Sequence, residues 1–288
     1  MRFAKAHGLG NDFILVSESE FPEPAAAWAR RLCDRHEGIG GDGVLVYAPQ
    51  EGGVRMRLLN ADGSDGDISG NGLRCLAAYL AFRKGLPERH VIVTPPGPRQ
   101  VQVRHRQGSR FTVLSDLGMP RLSSDEIPMA LDPSLARVID CPLEVLGRSI
   151  LVTATSLGNP HCAVFGEQVP SDEWIGTLGP ALENHPSFPR RTNVEFVTVV
   201  DRGTLRVRFW ERGVGITRAS GTGAASAAVA AMLKDLTDRR VAVVCDGGTL
   251  AVEWPEGGAV RQEGEVELLF EGDWLPVSAA RSSGEAAP

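Results

Sequence analysis

The sequence contains no CxxC pair, although it has five cysteines among its 288 residues. An odd number of scattered cysteines fits a reducing compartment better than a disulfide framework. His161 and Cys162 are adjacent, but neighbouring residues on a strand point to opposite faces and are poorly placed to bind one metal ion. We therefore expect no metal site.

Long apolar runs and basic stripes are also missing. No apolar run approaches the roughly 18 residues of a membrane-spanning helix, and the first residues do not resemble a secretory signal. The net charge is −6, with basic residues interspersed among acids, which disfavours nucleic acid as a partner. With 42% hydrophobic and 23% charged residues, the composition is that of a globular protein. These features predict a cytoplasmic protein of enzyme size with neither membrane nor nucleic-acid partners.

Short β-branched runs bounded by turn residues outnumber the helical segments. Apolar spacing and end signals predict helices at 25–35, 72–84 and 223–235. The last two carry so little side-chain bulk that backbone can approach them on all sides, which predicts burial inside sheet structure. A high-propensity helix on the surface is the alternative. Strands are predicted at or around 91–93, 101–103, 111–114, 205–209 and 241–244.

A weak internal repeat relates the two halves of the chain. The segments at 10–13 (GNDF) and 69–72 (SGNG) recur about 150 residues later as GNPH and SGTG, in the same order. Asn60 and Glu211 each lie nine residues before the serine of their own motif. The repeat predicts two copies of a mixed sheet with one buried helix, and a ligand cleft between them.

Each SGxG segment opens a predicted helix. Its glycines leave backbone N–H groups free for a ligand, and the positive helix end favours a carboxylate or phosphate. A single glycine-rich turn is usually a tight connection, and no lysine follows as in a Walker loop, but the paired placement favours two anion sites. Polar residues that suit an amino-acid ligand accompany these turns, although turn formation is the alternative for any one asparagine. They are Asn11, Asn60, Asn159, Asn193, Glu211 and Arg212.

Six segments together resemble the signature motifs of the diaminopimelate epimerase family. They occur in the family order from near residue 1 to about residue 225, and similar spacing continues to about residue 275. The segments are HGLGNDF (7–13), RHEGIGGDG (35–43), NADGS (60–64), GNGLRC (70–75), GNPHC (158–162) and ERG (211–213).

This resemblance implies an α/β fold of two pseudo-symmetric halves, each a mixed sheet or barrel around a central helix. The first half is expected at 1–117 plus a returning C-terminal strand at about 266–280, and the second at 118–265, with the crossing within 117–151. Residues 281–288 are expected to form a disordered tail. The resemblance also implies a homodimer without a cofactor that interconverts LL- and meso-2,6-diaminopimelate, for lysine and peptidoglycan synthesis, by two-base proton transfer at the α-carbon.

The resemblance also assigns roles to individual residues. The six polar residues named above are expected to hold the substrate. The reacting carboxylate is expected at Gly70, Asn71, Gly221 and Thr222, at the two helix starts. His161 and Glu211 are expected beside the two catalytic positions.

The sequence departs from the family pattern at the two catalytic cysteines, where it has Ser69 and Ser220. A thiol has a pKa near 8.5, and a gap of about five units to a serine hydroxyl corresponds to roughly 7 kcal/mol. A helix dipole stabilises the ionised hydroxyl by only about 0.3 to 2 kcal/mol, a small part of this difference. Cys75 and Cys162 do not replace the missing thiols, because they match family positions that are not catalytic.

Three functions are compatible with these serines. The chain is an epimerase in which His161 or Glu211 activates a serine hydroxyl. Alternatively, it is a racemase, isomerase or dehydratase for another amino acid, with one of these residues as the base. The third is a catalytically inactive amino-acid-binding homologue, whether its serines are natural or introduced. The intact set of binding residues favours the first function.

Overall fold

The computed structural model describes residues 1–66 and 68–275 and has a mixed α/β architecture. The predicted tail, 281–288, and the end of the predicted returning segment, 276–280, lie outside the described residues. Within the described ranges, no helix is long and apolar enough to span a membrane. The helices are α1 (Ala25–Cys33), α2 (Gly70–Arg83), α3 (Asp172–Glu183) and α4 (Gly221–Leu233), with a short 3-10 helix at Glu18–Glu20. The strands are β1 (Arg2–Gly8), β2 (Asn11–Ser17), β3 (Gly43–Gln50), β4 (Gly53–Asn60), β5 (Asp65–Gly66), β6 (Arg89–Thr94), β7 (Gly97–Gln107), β8 (Arg110–Gly118), β9 (Val138–Val145), β10 (Arg148–Ser156), β11 (Pro160–Phe165), β12 (Asn193–Asp201), β13 (Thr204–Glu211), β14 (Gly215–Thr217), β15 (Arg240–Cys245), β16 (Gly248–Glu253) and β17 (Val260–Asp273).

The first half of the chain forms a closed barrel around α2. The ring of pairings runs β1–β2–β3–β4–β6–β7–β8–β17 and returns to β1. The pairs β2–β3 and β4–β6 are parallel, and the other pairs are antiparallel. Every residue of α2 from Gly70 to Leu80 is buried. The expected mixed sheet around a central helix is therefore confirmed for this half.

The second half repeats this order of strands around α4, but no pairing among the described residues joins its first strand, β9, to its last, β17. Its pairings run β9–β10–β11–β12–β13–β15–β16–β17, with parallel pairs at β11–β12 and β13–β15, the counterparts of the two parallel pairs in the first half. Strand β17 pairs with β16 and also with β8 and β1, so it joins the two halves. The domain boundaries expected at 117/118 and near 266 stay a prediction.

Burial of α2 and α4 follows from their small side chains. All residues of α4 from Gly221 to Met232 are buried, and one apolar cluster contains residues of both helices. The alternative of a surface helix is therefore wrong for both. By contrast, α1 and α3 belong to separate apolar clusters together with residues of the neighbouring strands.

Some sequence-based predictions of secondary structure were wrong. Helices α2 and α4 begin two residues earlier than predicted, because Ser69 and Ser220 are their N-caps. Helix α3 was not predicted, since glycines and Pro180 interrupt its pattern. One of these glycines, Gly179, is needed for packing: a Cβ there would lie 2.6 Å from the Trp210 ring. The predicted crossing at 117–151 also contains β9 and the start of β10.

Candidate active site

A cleft of about 820 Å³ lies where the starts of α2 and α4 meet. Most of the predicted site residues line it, whereas Asn71 and His161 are buried outside its lining, with 0% and 1% of their surfaces exposed. The lining members of the predicted set are Asn11, Asn60, Ser69, Gly70, Asn159, Asn193, Glu211, Arg212, Ser220, Gly221 and Thr222.

The repeat explains why these residues converge. Asn11 begins β2, and Asn159 precedes the equivalent strand β11. Asn60 ends β4, and Glu211 ends the equivalent strand β13. Equivalent strand ends from the two halves therefore supply equivalent polar groups to the cleft between them.

The two serines cap the central helices in the same way. The Ser69 hydroxyl oxygen accepts a hydrogen bond from the Gly72 amide at 3.0 Å, and the Ser220 oxygen accepts one from the Gly223 amide at 3.3 Å. The first intrahelical bond of α2 runs from the Leu73 amide to the Ser69 carbonyl at 2.8 Å, so the earlier amides have no intrahelical acceptor. Helix α4 begins in the same manner. Both helix starts can therefore donate backbone hydrogen bonds to an anion.

The two helix starts touch through glycine. A Cβ on Gly221 would lie 2.8 Å from the Gly70 Cα and 2.9 Å from the Asn71 amide nitrogen, closer than atoms of a side chain can pack. Glycine therefore permits this approach. Because each helix start carries a partial positive charge, their juxtaposition is unfavourable unless an anion lies between or beside them.

Ser220 has an acidic partner. Its hydroxyl donates to Glu211 Oε2 at 3.2 Å, and the Thr217 hydroxyl donates to Glu211 Oε1 at 2.6 Å. Burial raises the pKa of the Glu211 carboxyl, and these two donors only partly oppose that effect. A carboxylate with a raised pKa is a stronger base than usual, and Glu211 both lines the cleft and contacts the Ser220 hydroxyl. Sequence reasoning missed Thr217.

His161 is hydrogen-bonded to Glu195 and Asn159. Its Nδ1 lies 2.6 Å from Glu195 Oε1 and its Nε2 lies 2.9 Å from Asn159 Oδ1. Burial raises the pKa of the Glu195 carboxyl, and its second oxygen has no hydrogen-bond partner among the described residues. Within those residues, neither serine is hydrogen-bonded to His161. The histidine therefore orients the Asn159 amide at the cleft wall.

Asn11, the first residue of β2, is held by a charged network. Its amide nitrogen donates to Asp42 Oδ2 at 2.7 Å. The neighbouring Asp12 lies 2.6 Å from Lys5 Nζ and 2.8 Å from an Arg35 nitrogen. Burial of Asp12 opposes ionisation, but the hydrogen bonds from the two cations outweigh it and lower its pKa to about 2. The ionised network fixes the direction in which the Asn11 amide faces the cleft.

The amides of Asn60 and Asn193 are also engaged. Asn60 donates to the Ser64 hydroxyl at 2.9 Å. Asn193 donates to the Pro160 carbonyl at 3.0 Å and accepts from the backbone amide of Arg212 at 3.0 Å. These asparagines therefore stabilise turns as well as lining the cleft.

The cysteines offer no substitute for a thiolate base. Cys75 and Cys162 are fully buried. Burial raises the pKa of the Cys75 thiol to about 12 and raises that of Cys162 well above its ordinary value. Both thiols stay protonated near neutral pH.

Comparison with known proteins identifies the family. A family model described as diaminopimelate epimerase matches residues 3–123 and 153–269. A diaminopimelate epimerase of Desulforudis audaxviator is 45% identical over 283 residues, covering 96% of this chain and 99% of that protein. One of Pelotomaculum thermopropionicum is 43% identical over 280 residues, covering 95% and 99%.

Solved structures share the fold at low identity. A hydroxyproline epimerase from Agrobacterium vitis has a TM-score of 0.69 and 14% identity, covering 94% of this chain and 90% of that one. A PhzF-family phenazine biosynthesis protein of Bacillus anthracis has a TM-score of 0.66 and 15% identity, covering 96% and 99%. These likenesses support the two-half architecture. Family model and relatives together show that the chain belongs to the diaminopimelate epimerase family.

Proposed function

We propose that this protein is a cofactor-independent epimerase that interconverts LL- and meso-2,6-diaminopimelate, in lysine and peptidoglycan synthesis. One observation carries the proposal: a serine at each of two touching helix starts, facing one cleft with the polar residues of an amino-acid site. Relatives of this name, 42% to 45% identical over nearly the whole chain, support the substrate.

The substrate's reacting carboxylate binds at the joined helix starts. Four backbone amides, those of Gly70, Asn71, Gly221 and Thr222, lie in the first turns, where amides lack intrahelical acceptors. The positive ends of both helices favour this anion and also stabilise the negative charge that develops when the α-proton leaves. Binding and carbanion stabilisation thus use the same groups.

Proton transfer on one face uses Ser220 together with Glu211. The α-proton passes to the Ser220 oxygen while the serine hydroxyl proton passes to Glu211 Oε2, 3.2 Å away. Serine remains neutral in this step, and the carboxylate with its raised pKa takes the proton. This route avoids a free alkoxide, whose formation is the obstacle to serine as a base.

The opposite face uses Ser69. As its hydroxyl donates a proton to the carbanion, a solvent molecule in the open cleft protonates the serine oxygen, so that no free alkoxide forms. The proton that Glu211 later releases neutralises the hydroxide left in the solvent. Within the described residues, the Ser69 hydroxyl has no acidic partner, in contrast to Ser220. The two faces are therefore chemically unequal, and exchange at the Ser220 face is the faster one.

The other functions receive less support. The solved racemase and isomerase structures are at most 17% identical to this chain in sequence. They are evidence for the fold only, so they favour no other substrate. Nothing in the relatives favours an inactive homologue. Homodimeric assembly and a cytoplasmic location remain proposals that rest on family membership.

Exchange of the α-proton tests the proposal. The protein is incubated with LL-diaminopimelate in deuterated water, and proton NMR follows loss of the α-proton while chiral chromatography follows the meso isomer. Formation of the meso isomer is expected to be lost in both Ser69→Ala and Ser220→Ala, because inversion needs a proton donor or acceptor on each face. Ser149→Ala, at an exposed serine of β10, is the matched control. Binding measured by calorimetry without any exchange would sink the proposal.

A further inference from the structure

Arg74 is a buried cation that contacts no carboxylate among the described residues. It lies in the second turn of α2, with 0% of its surface exposed, and is the largest fully buried side chain. Within the described residues, its guanidinium donates to the amide oxygens of Asn71 and Gln262, and its Nε has no partner. Buried charges are ordinarily paired with an opposite charge, so this arrangement retains an uncompensated positive charge.

The two side-chain amides that Arg74 contacts connect it to the two helix starts, because one belongs to the first turn of α2 and the other is hydrogen-bonded to the first residue of α4. Gln262 on β17 donates through Nε2 to the carbonyl of Gly221, the first residue of α4, at 2.7 Å. Asn71, the second residue of α2, donates through Nδ2 to Asn11 Oδ1 at 3.2 Å. One guanidinium therefore sets the orientation of both amides and connects both halves of the protein.

The fold makes room for this guanidinium. Gly264 lies two residues after Gln262 on β17, and a Cβ there would lie 3.1 Å from Arg74 Nε. The same Cβ would also lie closer still to Leu250, so glycine serves packing here as well. A side chain at this point would displace the guanidinium from its two acceptors.

The charge of Arg74 adds to that of the helix ends. Burial lowers the pKa of Arg74 to about 10, so it remains cationic near neutral pH. Among the described residues, the titratable groups that act on it are the thiols of Cys75 and Cys245. Burial raises the pKa of both thiols, that of Cys75 to about 12, so neither neutralises it near neutral pH. The charge of the guanidinium therefore lies near the two positive helix ends, one hydrogen bond from Asn71 and two from Gly221.

We infer that Arg74 is a positioning residue for the anion site: acting through Asn71 and Gln262, it holds both helix starts at the spacing that receives the substrate's reacting carboxylate, and its charge adds to the attraction. The inference rests on the proposed function in taking the anion to be that carboxylate. It adds to the site a residue that contacts no substrate.

Arg74→Lys separates this role from a merely structural one. A buried lysine can lose its proton near neutral pH, whereas the arginine keeps its charge. Calorimetry with diaminopimelate and α-proton exchange are measured from pH 6 to 9, with thermal unfolding at each pH. Affinity of the variant is expected within about 10-fold of the native value at pH 6 and to fall by about 100-fold towards pH 9. The matched control is Arg99→Lys, at a half-buried arginine outside the cleft lining.

The outcomes distinguish this inference from the proposed function. A folded Arg74→Lys variant whose affinity follows the native pH profile overturns the inference. If the native protein binds diaminopimelate but does not exchange its α-proton, the proposed function fails, and the affinity profile still decides the role of Arg74. Arg74→Met, which removes the charge at every pH, is expected to bind weakly throughout, and native-like affinity in a folded Arg74→Met protein also overturns the inference.

Discussion

Replacing the two serines by cysteine should make the protein faster. Ser69→Cys, Ser220→Cys and the double variant put a thiol at each helix N-cap. The pKa of a thiol is lower than that of a serine hydroxyl by about five units, equivalent to roughly 7 kcal/mol in the proton-transfer equilibrium. If about half of this free-energy difference is present in the transition state, each replacement lowers the activation free energy by roughly 3 to 4 kcal/mol, which raises the rate by about 10² to 10³.

The structure predicts unequal gains at the two positions. At position 69, the N-terminus of α2 stabilises a thiolate by a further 0.3 to 2 kcal/mol or so, and the described residues place no acidic partner on the Ser69 hydroxyl. At position 220, Glu211 lies at hydrogen-bond distance and disfavours a second negative charge. The expected order of rates is therefore double variant, then Ser69→Cys, then Ser220→Cys, then native.

Epimerisation of LL-diaminopimelate, followed by circular dichroism, measures these rates. Ser149→Cys, at an exposed position of β10, controls for an added thiol. The reasoning is refuted if a folded Ser69→Cys protein, with its new thiol shown to be free by titration, is no faster than the native protein.

Three further predictions follow from the same geometry. Glu211→Gln should lower kcat by about 10² to 10⁴ with a smaller change in KM. Native activity should rise as pH increases through the raised pKa of this carboxyl, and the variant should lose that rise. An unchanged pH–rate profile in the variant would contradict the role of Glu211 as the base. Gly221→Ala should destabilise the protein by about 1 to 3 kcal/mol in thermal unfolding, because its Cβ would lie 2.8 Å from the backbone of α2. Gly176→Ala in α3, a control with open space around it, should be neutral or stabilising by up to about 1 kcal/mol. Equal effects of the two substitutions would argue against the close approach of the helix starts. Asp12 has a folded-state pKa depressed to about 2. Its contribution to the free energy of unfolding, on the order of 2 kcal/mol, is therefore present above about pH 4 and lost as pH falls towards 2. Denaturant titration should show a smaller loss of stability over this pH range in Asp12→Asn than in the native protein.

The sequence repeat contained more structural information than periodicity alone revealed. Helix α3 has glycine and proline in its interior, so its own pattern was weak. Its position, however, is that of α1 shifted by about 150 residues, between strands equivalent to those that flank α1. Applying the repeat to every element, and not only to the motifs, would have predicted this helix.

Convergence of the polar residues was predictable because the motifs lie at equivalent strand and helix ends of the two halves. The contacts made by buried side chains behind the lining of the cleft were not predictable. His161 faces Glu195, and Arg74 faces Gln262, a residue 188 positions away along the chain. No local pattern specifies the first contact, which depends on the pairing of β11 with β12, or the second, which depends on how β17 crosses between the halves. The distinction between Ser220, which has an acidic partner, and Ser69 is likewise a property of packing.

Whether the native serines support epimerisation is tested most directly with unmodified protein and enantiopure LL-diaminopimelate in deuterated water. Chiral chromatography coupled to mass spectrometry measures the meso isomer and its deuterium content at early times. We expect meso product that carries one solvent deuterium and forms well above the rate in a protein-free sample. Absence of meso product, while calorimetry shows that the substrate binds, would contradict it.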